Sequence, residues 1–213
     1  MHSIPWIPDS DGNLTAEKGD NAATLSKFLG VKQEDANKIL SSQDKTDVKE
    51  GDKVTLDNVY TRSIKNSTGD LTTDKVLELS AKGQDVKGPD VDNYNCWGSA
   101  IAGTQGKEIN NTVGIPTGSK FDVDLVGDYK PVDKESATFG NTVLRFSNEN
   151  NVAEHGAVFY GKSNDGTIFV YTKDGWNAKP EVMKLSDLQT KIPSYGTVKG
   201  VNSSDSGYYN PNP

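Results

Sequence analysis

Cysteine and histidine are both scarce in this chain. One cysteine, Cys96, and two histidines, His2 and His155, occur in 213 residues. A single cysteine excludes an internal disulfide framework. One cysteine and one histidine away from the terminus cannot supply the usual set of zinc ligands. We therefore expect neither a metal site nor any other cofactor.

Basic charge and long apolar runs are lacking as well. The formal net charge is -7 and the isoelectric point is about 4.9, whereas a nucleic-acid binder needs a basic face to neutralise phosphates. The sequence has no run of about 18 apolar residues, which a transmembrane helix requires. Residues 1–6 lack the charged-then-apolar pattern of a signal peptide. We expect no nucleic-acid partner and no membrane span, and export by another machine or within a larger polypeptide.

Glycine and proline, in contrast, are plentiful. The chain has 21 glycines and nine prolines, which predict many turns and short strands. A hydrophobic content of 33% is low but sufficient for a folded core. The length fits one large domain or two small ones.

Residues 13–57 predict the order strand, helix, helix, strand. The first helix has an apolar face made of Leu25, Phe28 and Leu29, at positions i, i+3 and i+4. Gly30 is expected to end this helix, since glycine is the usual residue just past a helix C-terminus. A second helix and a strand follow.

This segment resembles a LysM module. The matching runs are Lys18-Gly19-Asp20, Leu29-Gly30-Val31 and Lys49-Glu50-Gly51-Asp52-Lys53-Val54. LysM modules bind glycans that contain N-acetylglucosamine, such as peptidoglycan or chitin. The resemblance implies a glycan-binding module over residues 1–60. The other interpretation is a small helical subdomain that packs on its neighbour.

The remaining chain contains one clear hairpin. Residues 156–161 and 167–172 predict two strands joined by a turn at 163–166. Weaker patterns predict a strand at 58–64 and a helix at 74–81. The alternation in 120–126 predicts a strand or sheet edge, and 203–213 predicts a polar tail.

Cys96 lies where a polar loop gives way to a small, apolar segment that predicts the start of a helix. A thiol in the first turn of a helix lies at the positive end of the helix dipole, which favours the thiolate. The thiolate is the nucleophile in covalent cysteine catalysis. The alternative is a buried cysteine that serves only as a small hydrophobe.

His155 precedes the first strand of the hairpin. Its imidazole, with a pKa near neutrality, is a suitable base for a thiol. A histidine at a strand end can also be purely structural. The only cysteine and the only internal histidine nevertheless occupy a helix start and a strand start, which favours a catalytic pair.

These segments resemble the NlpC-type papain-like cysteine peptidases and amidases. The resemblance rests on Asn95-Cys96-Trp97-Gly98, on the strand 142–146, and on His155-Gly156-Ala157-Val158-Phe159-Tyr160-Gly161. They are also similar to catalytic domains at the C-termini of RHS-repeat and other interbacterial toxins. The resemblance implies an α+β fold for residues 61–213, with a catalytic helix on an antiparallel sheet, Cys96 as nucleophile and His155 as base.

In this family a third polar residue orients the histidine. Asp174 is our choice, because a carboxylate would hold the ring and stabilise imidazolium, and Thr172 is the competitor. Asp174 is equally suited to a turn in Lys-Asp-Gly. The backbone amide of Cys96 would stabilise the oxyanion, with Asn95 or Asn93 as a second donor. Trp97 is assigned to the substrate cleft, with core packing as its other interpretation.

The two resemblances together imply a hydrolase that cleaves amide bonds in bacterial peptidoglycan. Such a protein would be a secreted antibacterial effector, delivered to the periplasm or cell wall of a target bacterium. The expected partners are peptidoglycan and, through the toxin resemblance, a cognate immunity protein. Two alternatives remain: a toxin with the same catalytic pair that acts on a protein, as a protease or deamidase, and a non-catalytic wall-binding protein.

Overall fold

The structure is a computed structural model that describes residues 6–56, 95–105, 117–175 and 181–213. The elements predicted at 58–64 and 74–81, and the domain boundary near residue 60, lie outside these residues. The described helices are α1 (Ala22–Leu29), α2 (Gln33–Ser41), α3 (Cys96–Gln105), α4 (Gly118–Asp128) and α5 (Leu185–Lys191). The strands are β1 (Ile7–Pro8), β2 (Leu14–Thr15), β3 (Lys53–Val54), β4 (Tyr129–Val132), β5 (Val143–Ser147), β6 (Ala153–Lys162), β7 (Ile168–Thr172), β8 (Glu181–Lys184), β9 (Thr197–Val198) and β10 (Tyr208–Pro211). None of the described helices has the length and hydropathy needed to cross a bilayer.

The N-terminal segment has the predicted order, with α1 and α2 between the antiparallel strands β2 and β3. Asn21 caps α1 by accepting the backbone N–H of Ala23, and its own N–H is accepted by Thr24, which forms a capping box. Gly30 ends the helix with a φ of 70°, a conformation that glycine adopts without strain. The apolar face predicted for α1 is confirmed, because its three members are buried.

Within the described residues, the larger sheet has seven strands, and all of their pairings are antiparallel. Its order is β4-β10-β5-β6-β7-β8, and β9 also pairs with β5. The predicted hairpin is formed by β6 and β7. The α+β class is therefore confirmed.

The C-terminal segment 203–213 is not simply a polar tail. Its residues 208–211 form β10, which lies between β4 and β5 in the sheet. Tyr208 and Tyr209 are both buried there. A two-tyrosine strand without apolar alternation gives no strand signal, so only its pairing with β4 and β5 reveals it.

The prediction of a strand at 120–126 is wrong. These residues belong to α4, in which the Thr117 side chain accepts the backbone N–H of Lys120 as a cap. Phe121 and Leu125 are buried one turn apart, whereas Val123 between them is 64% exposed. The apparent alternation was the i, i+4 period of a helix that carries one exposed valine.

The N-terminal segment, with helices α1 and α2, packs directly on the larger sheet. Phe28 of α1 contacts the rings of Tyr160 and Phe169, with centroid distances of 6.5 and 5.8 Å. The backbone N–H of Phe139 donates to the carbonyl of Leu29 at 2.7 Å. One hydrophobic core thus extends from α1 and α2 to α3, α4 and one face of β6, while a second core on the other face includes Leu188 of α5.

Candidate active site

Cys96 is the first residue of α3, as predicted. The Asn95 side chain accepts the backbone N–H of Gly98 at 3.0 Å, which caps the helix at its start. The helix lies against β6 at Gly156, where a side chain would come within 2.9 Å of Phe121 and 3.4 Å of Ala100. The missing side chain at Gly156 therefore lets α3 and the Phe121 ring of α4 approach the strand that carries His155.

Opposing influences act on the pKa of the Cys96 thiol. The backbone N–H groups of Gly156, Trp97 and Cys96 itself act on the thiol and lower its pKa. Burial acts more strongly, since Cys96 is 6% exposed, and it raises the pKa to about 11. The charge of Asp174 also raises it. Burial therefore opposes the thiolate that a place at the positive end of the helix dipole would favour.

His155 is fully buried, at 0% exposure. Burial lowers the pKa of its imidazole from 6.5 to about 3, because the charged form is disfavoured away from water. Two aromatic rings enclose it. Tyr195 stacks in parallel, with a centroid distance of 3.9 Å and an interplanar angle of 9°. Phe146 makes an edge contact at 5.4 Å.

Thr172 is the residue in direct contact with the histidine. Nε2 of His155 lies 2.7 Å from Oγ1 of Thr172. That hydroxyl donates its hydrogen to Oδ1 of Asp174 at 3.4 Å. Because a hydroxyl has only one hydrogen, Oγ1 must accept from Nε2–H. On this basis we assign the Nε2–H form to the imidazole, which places the lone pair on Nδ1.

Nδ1 of His155 has no hydrogen-bond partner among the described residues. A buried polar atom without a partner is costly and needs an explanation, of which a catalytic role is one. The unprotonated Nδ1 is the atom that could accept a proton from a thiol. The two candidate orienting residues thus act in series, with Thr172 on the ring and Asp174 behind it.

Asp174 is held by a further ion pair. Lys191 of α5 donates to Oδ2 of Asp174 at 3.2 Å and to Oε1 of Glu181 at 2.7 Å. Neither Lys191 nor Tyr195 is predicted as a site residue from the sequence. Their only local signal is a position within or after a short amphipathic helix, and no spacing relates them to Cys96 or His155.

The two residues assigned to substrate binding have structural contacts. Asn95 uses its side-chain oxygen as the helix cap. Trp97 stacks on Phe121, with a centroid distance of 6.3 Å and an angle of 27°. It is half-buried at the edge of the core, which corresponds to its second interpretation. Asn93 lies outside the described residues.

Comparisons of the chain with family models, with curated proteins and with solved structures found no match.

Proposed function

We propose that this protein is a cysteine hydrolase that cleaves an amide bond in bacterial peptidoglycan. The observation that carries the proposal is the buried imidazole of His155, which is anchored through Nε2 to Thr172 and Asp174 while Nδ1 is left with a free lone pair. The only thiol of the chain, that of Cys96, lies at a helix start. It contacts the backbone N–H of Gly156, the residue that follows His155. An oriented base and a thiol that contacts the strand carrying it support the assignment of a base-activated sulfur nucleophile.

In the resting site both groups are neutral. The pKa of the Cys96 thiol is raised to about 11 and that of His155 is lowered to about 3, so a thiolate–imidazolium pair is not formed before substrate binds. The proton therefore moves from sulfur to Nδ1 as sulfur attacks the carbonyl carbon. The Nε2–H bond to Thr172 keeps the ring oriented while it becomes positive, and Asp174 opposes that charge.

The remaining steps conserve atoms and charge. The attack forms a tetrahedral oxyanion, which the backbone N–H groups at the start of α3 stabilise. The imidazolium then gives its proton to the leaving nitrogen, and the C–N bond breaks to leave a thioester on Cys96. His155 takes a proton from water, the hydroxide displaces sulfur, and the thiol is restored.

A second candidate function is glycan binding by the N-terminal segment, in keeping with its LysM resemblance. A cavity of about 380 Å³ lies beside α2. It is lined by Ala22, Glu34, Asn37, Lys38, Leu40, Ser41 and Thr46. Amide, hydroxyl and charged groups of this kind can hydrogen-bond sugar hydroxyls and acetamido groups. Tethering to the wall would raise the local concentration of peptide stems at Cys96.

Both candidates are tested by incubating the full chain with purified sacculi. We expect soluble fragments whose masses show one added water for each amide bond cleaved, and no fragments with the Cys96→Ala variant. The same variant should sediment with the sacculi if the N-terminal segment binds glycan. Sedimentation without cleavage by the unaltered protein would support the wall-binding alternative. If the protein neither cleaves the sacculi nor sediments with them, that result would contradict peptidoglycan as the substrate and would favour a protein target.

The biological setting follows from this substrate. A wall amidase of this kind would act after delivery to the periplasm or cell wall of a target bacterium, as an antibacterial effector. A producing cell would then need a cognate immunity protein, because its own wall has the same bonds.

Conservative variants distinguish the contributions of the two orienting residues to kcat. Thr172→Val should lower kcat roughly 10–100-fold, since it leaves a buried Nε2–H without its acceptor. Asp174→Asn should lower it less, because an amide oxygen can still accept from the Thr172 hydroxyl. The measurement is the rate of fragment release from sacculi.

Thr172→Ser is the matched control for the threonine variant, because it keeps the hydroxyl, and it should stay within a few-fold of the unaltered protein. A larger loss in Asp174→Asn than in Thr172→Val would contradict the series arrangement.

A further inference from the structure

Tyr195 lies on a short turn that covers one face of the catalytic histidine. It is the last residue of a 3₁₀ turn, Pro193–Tyr195, which follows α5. Its ring is half-buried and parallel to the imidazole of His155 at a centroid distance of 3.9 Å. At this distance the two ring faces are in van der Waals contact.

The turn is tied to the strand that carries the other aromatic neighbour of His155. Gly196 has a φ of 75°, and a side chain there would lie 2.0 Å from the carbonyl oxygen of Ser147. The next residues form β9, in which Val198 pairs with Phe146 of β5. Phe146 therefore contacts the imidazole from β5, and Tyr195 contacts it from the turn that leads into β9, the strand paired with β5.

A ring held in this way has little freedom to rotate about its χ angles. Rotation would move Nε2 away from Thr172 and would redirect Nδ1. The face of a tyrosine ring also carries negative electrostatic potential, which attracts a cation stacked on it. The imidazolium that forms when His155 takes the thiol proton would gain this attraction, whereas the resting neutral imidazole would not.

We propose that Tyr195 is a positioning residue for the general base, which fixes the plane of the His155 ring and stabilises its protonated form during catalysis. This inference rests on the proposed function, because it requires His155 to accept a proton from Cys96. The ring face of Tyr195 positions and stabilises the imidazole, and the Tyr195 hydroxyl takes no part.

The test uses the rate at which iodoacetamide alkylates the full chain. Cys96 is the only cysteine, so every carbamidomethyl group detected by mass spectrometry reports this one thiol. Alkylation needs the thiol proton to leave, and a positioned His155 accelerates that step. The rates at pH 7 are compared for the unaltered protein and for His155→Ala, Tyr195→Leu and Tyr195→Phe.

We expect Tyr195→Leu to alkylate roughly 5- to 30-fold more slowly than the unaltered protein, which is the factor expected from a cation–π contact away from water. Its rate should approach that of His155→Ala. Tyr195→Phe should stay within about twofold of the unaltered protein, because phenylalanine keeps the ring face. Tyr195→Leu should also leave the KM for sacculi unchanged while kcat falls.

Two results would overturn the proposal for different reasons. If His155→Ala alkylates as fast as the unaltered protein, then Cys96 and His155 are not coupled, and the proposed function fails together with the role of Tyr195. If His155→Ala is slow but Tyr195→Leu alkylates normally or faster, then Tyr195 is only a cover and this inference alone fails. Should Tyr195→Leu be unfolded in a thermal melt, Tyr195→Met replaces it, since methionine fills a similar space without a π face.

Discussion

Cys96→Ala and His155→Ala should each lower the hydrolysis of sacculi on the order of 10⁴-fold or more, and the double variant should be no slower than the worse single one. Residues that act as one unit in catalysis show this non-additive behaviour. Without the sulfur there is no acyl-enzyme, and the base then has no proton to accept. The measurement is the initial rate of fragment release for the four proteins.

The control for these variants is a thermal melt, which shows whether each variant is folded. The thermal melt of Cys96→Ala should stay close to that of the unaltered protein, because the sulfur belongs to neither hydrophobic cluster of the described residues. Losses that multiply in the double variant would show that Cys96 and His155 contribute independently. That result would contradict a shared proton transfer.

The pH dependence of the same reaction follows from the burial of His155. Because burial lowers its pKa from 6.5 to about 3, the base stays unprotonated well below neutral pH. We therefore expect kcat/KM to remain high between pH 7 and pH 5, where an ordinary histidine would become protonated. An acid limb centred near pH 6.5 would contradict this.

The same shift makes the fold less stable in acid. The unfolded state binds a proton to this histidine below pH 6.5, and the folded state does not until about pH 3. The folding equilibrium constant should thus fall roughly tenfold for each pH unit across this window. Rates at low pH must accordingly be measured where the protein is still folded.

Arg145→Met should lower the free energy of unfolding by about 3 kcal/mol, the lower end of the usual cost of breaking a buried ion pair, because the side chain of its partner Asp122 is 22% exposed. Arg145 is fully buried on β5. Its guanidinium forms a bidentate ion pair with Asp122 of α4, with N–O distances of 2.6 and 2.9 Å. It also donates to Asn151 and to the carbonyls of Lys199 and Gly200. Methionine would leave a carboxylate and several carbonyls without donors. The measurement is equilibrium unfolding in urea.

Lys120→Met is the matched control for this prediction. Lys120 pairs with Asp124 on the same helix, but its side chain is 53% exposed. Exposed ion pairs contribute little to stability, so this variant should leave the free energy of unfolding almost unchanged. Equal losses in the two variants would show that Arg145 stabilises the fold no more than a surface pair does.

Much of the fold is encoded locally, which is why it could be predicted. The helix α1, its end at Gly30 and the hairpin of β6 and β7 follow from apolar spacing, glycine conformation and turn residues, all within a few positions of each other. Helix α4 was mistaken for a strand because Val123 and Val126, which are 64% and 62% exposed, disturb its apolar period. β10 was missed because its strand character comes from β4 and β5, which lie more than 60 positions earlier.

By itself, the sequence determined the α+β class, the order of the N-terminal elements, and the two residues with suitable chemistry, Cys96 and His155. Only the tertiary structure decided the state of those residues. It showed that Thr172 rather than Asp174 contacts the ring, that Tyr195 stacks on it, and that burial raises the pKa of the thiol and lowers the pKa of the imidazole. The physical reason is that reactivity here depends on desolvation, and desolvation depends on which distant segments the fold packs around each side chain.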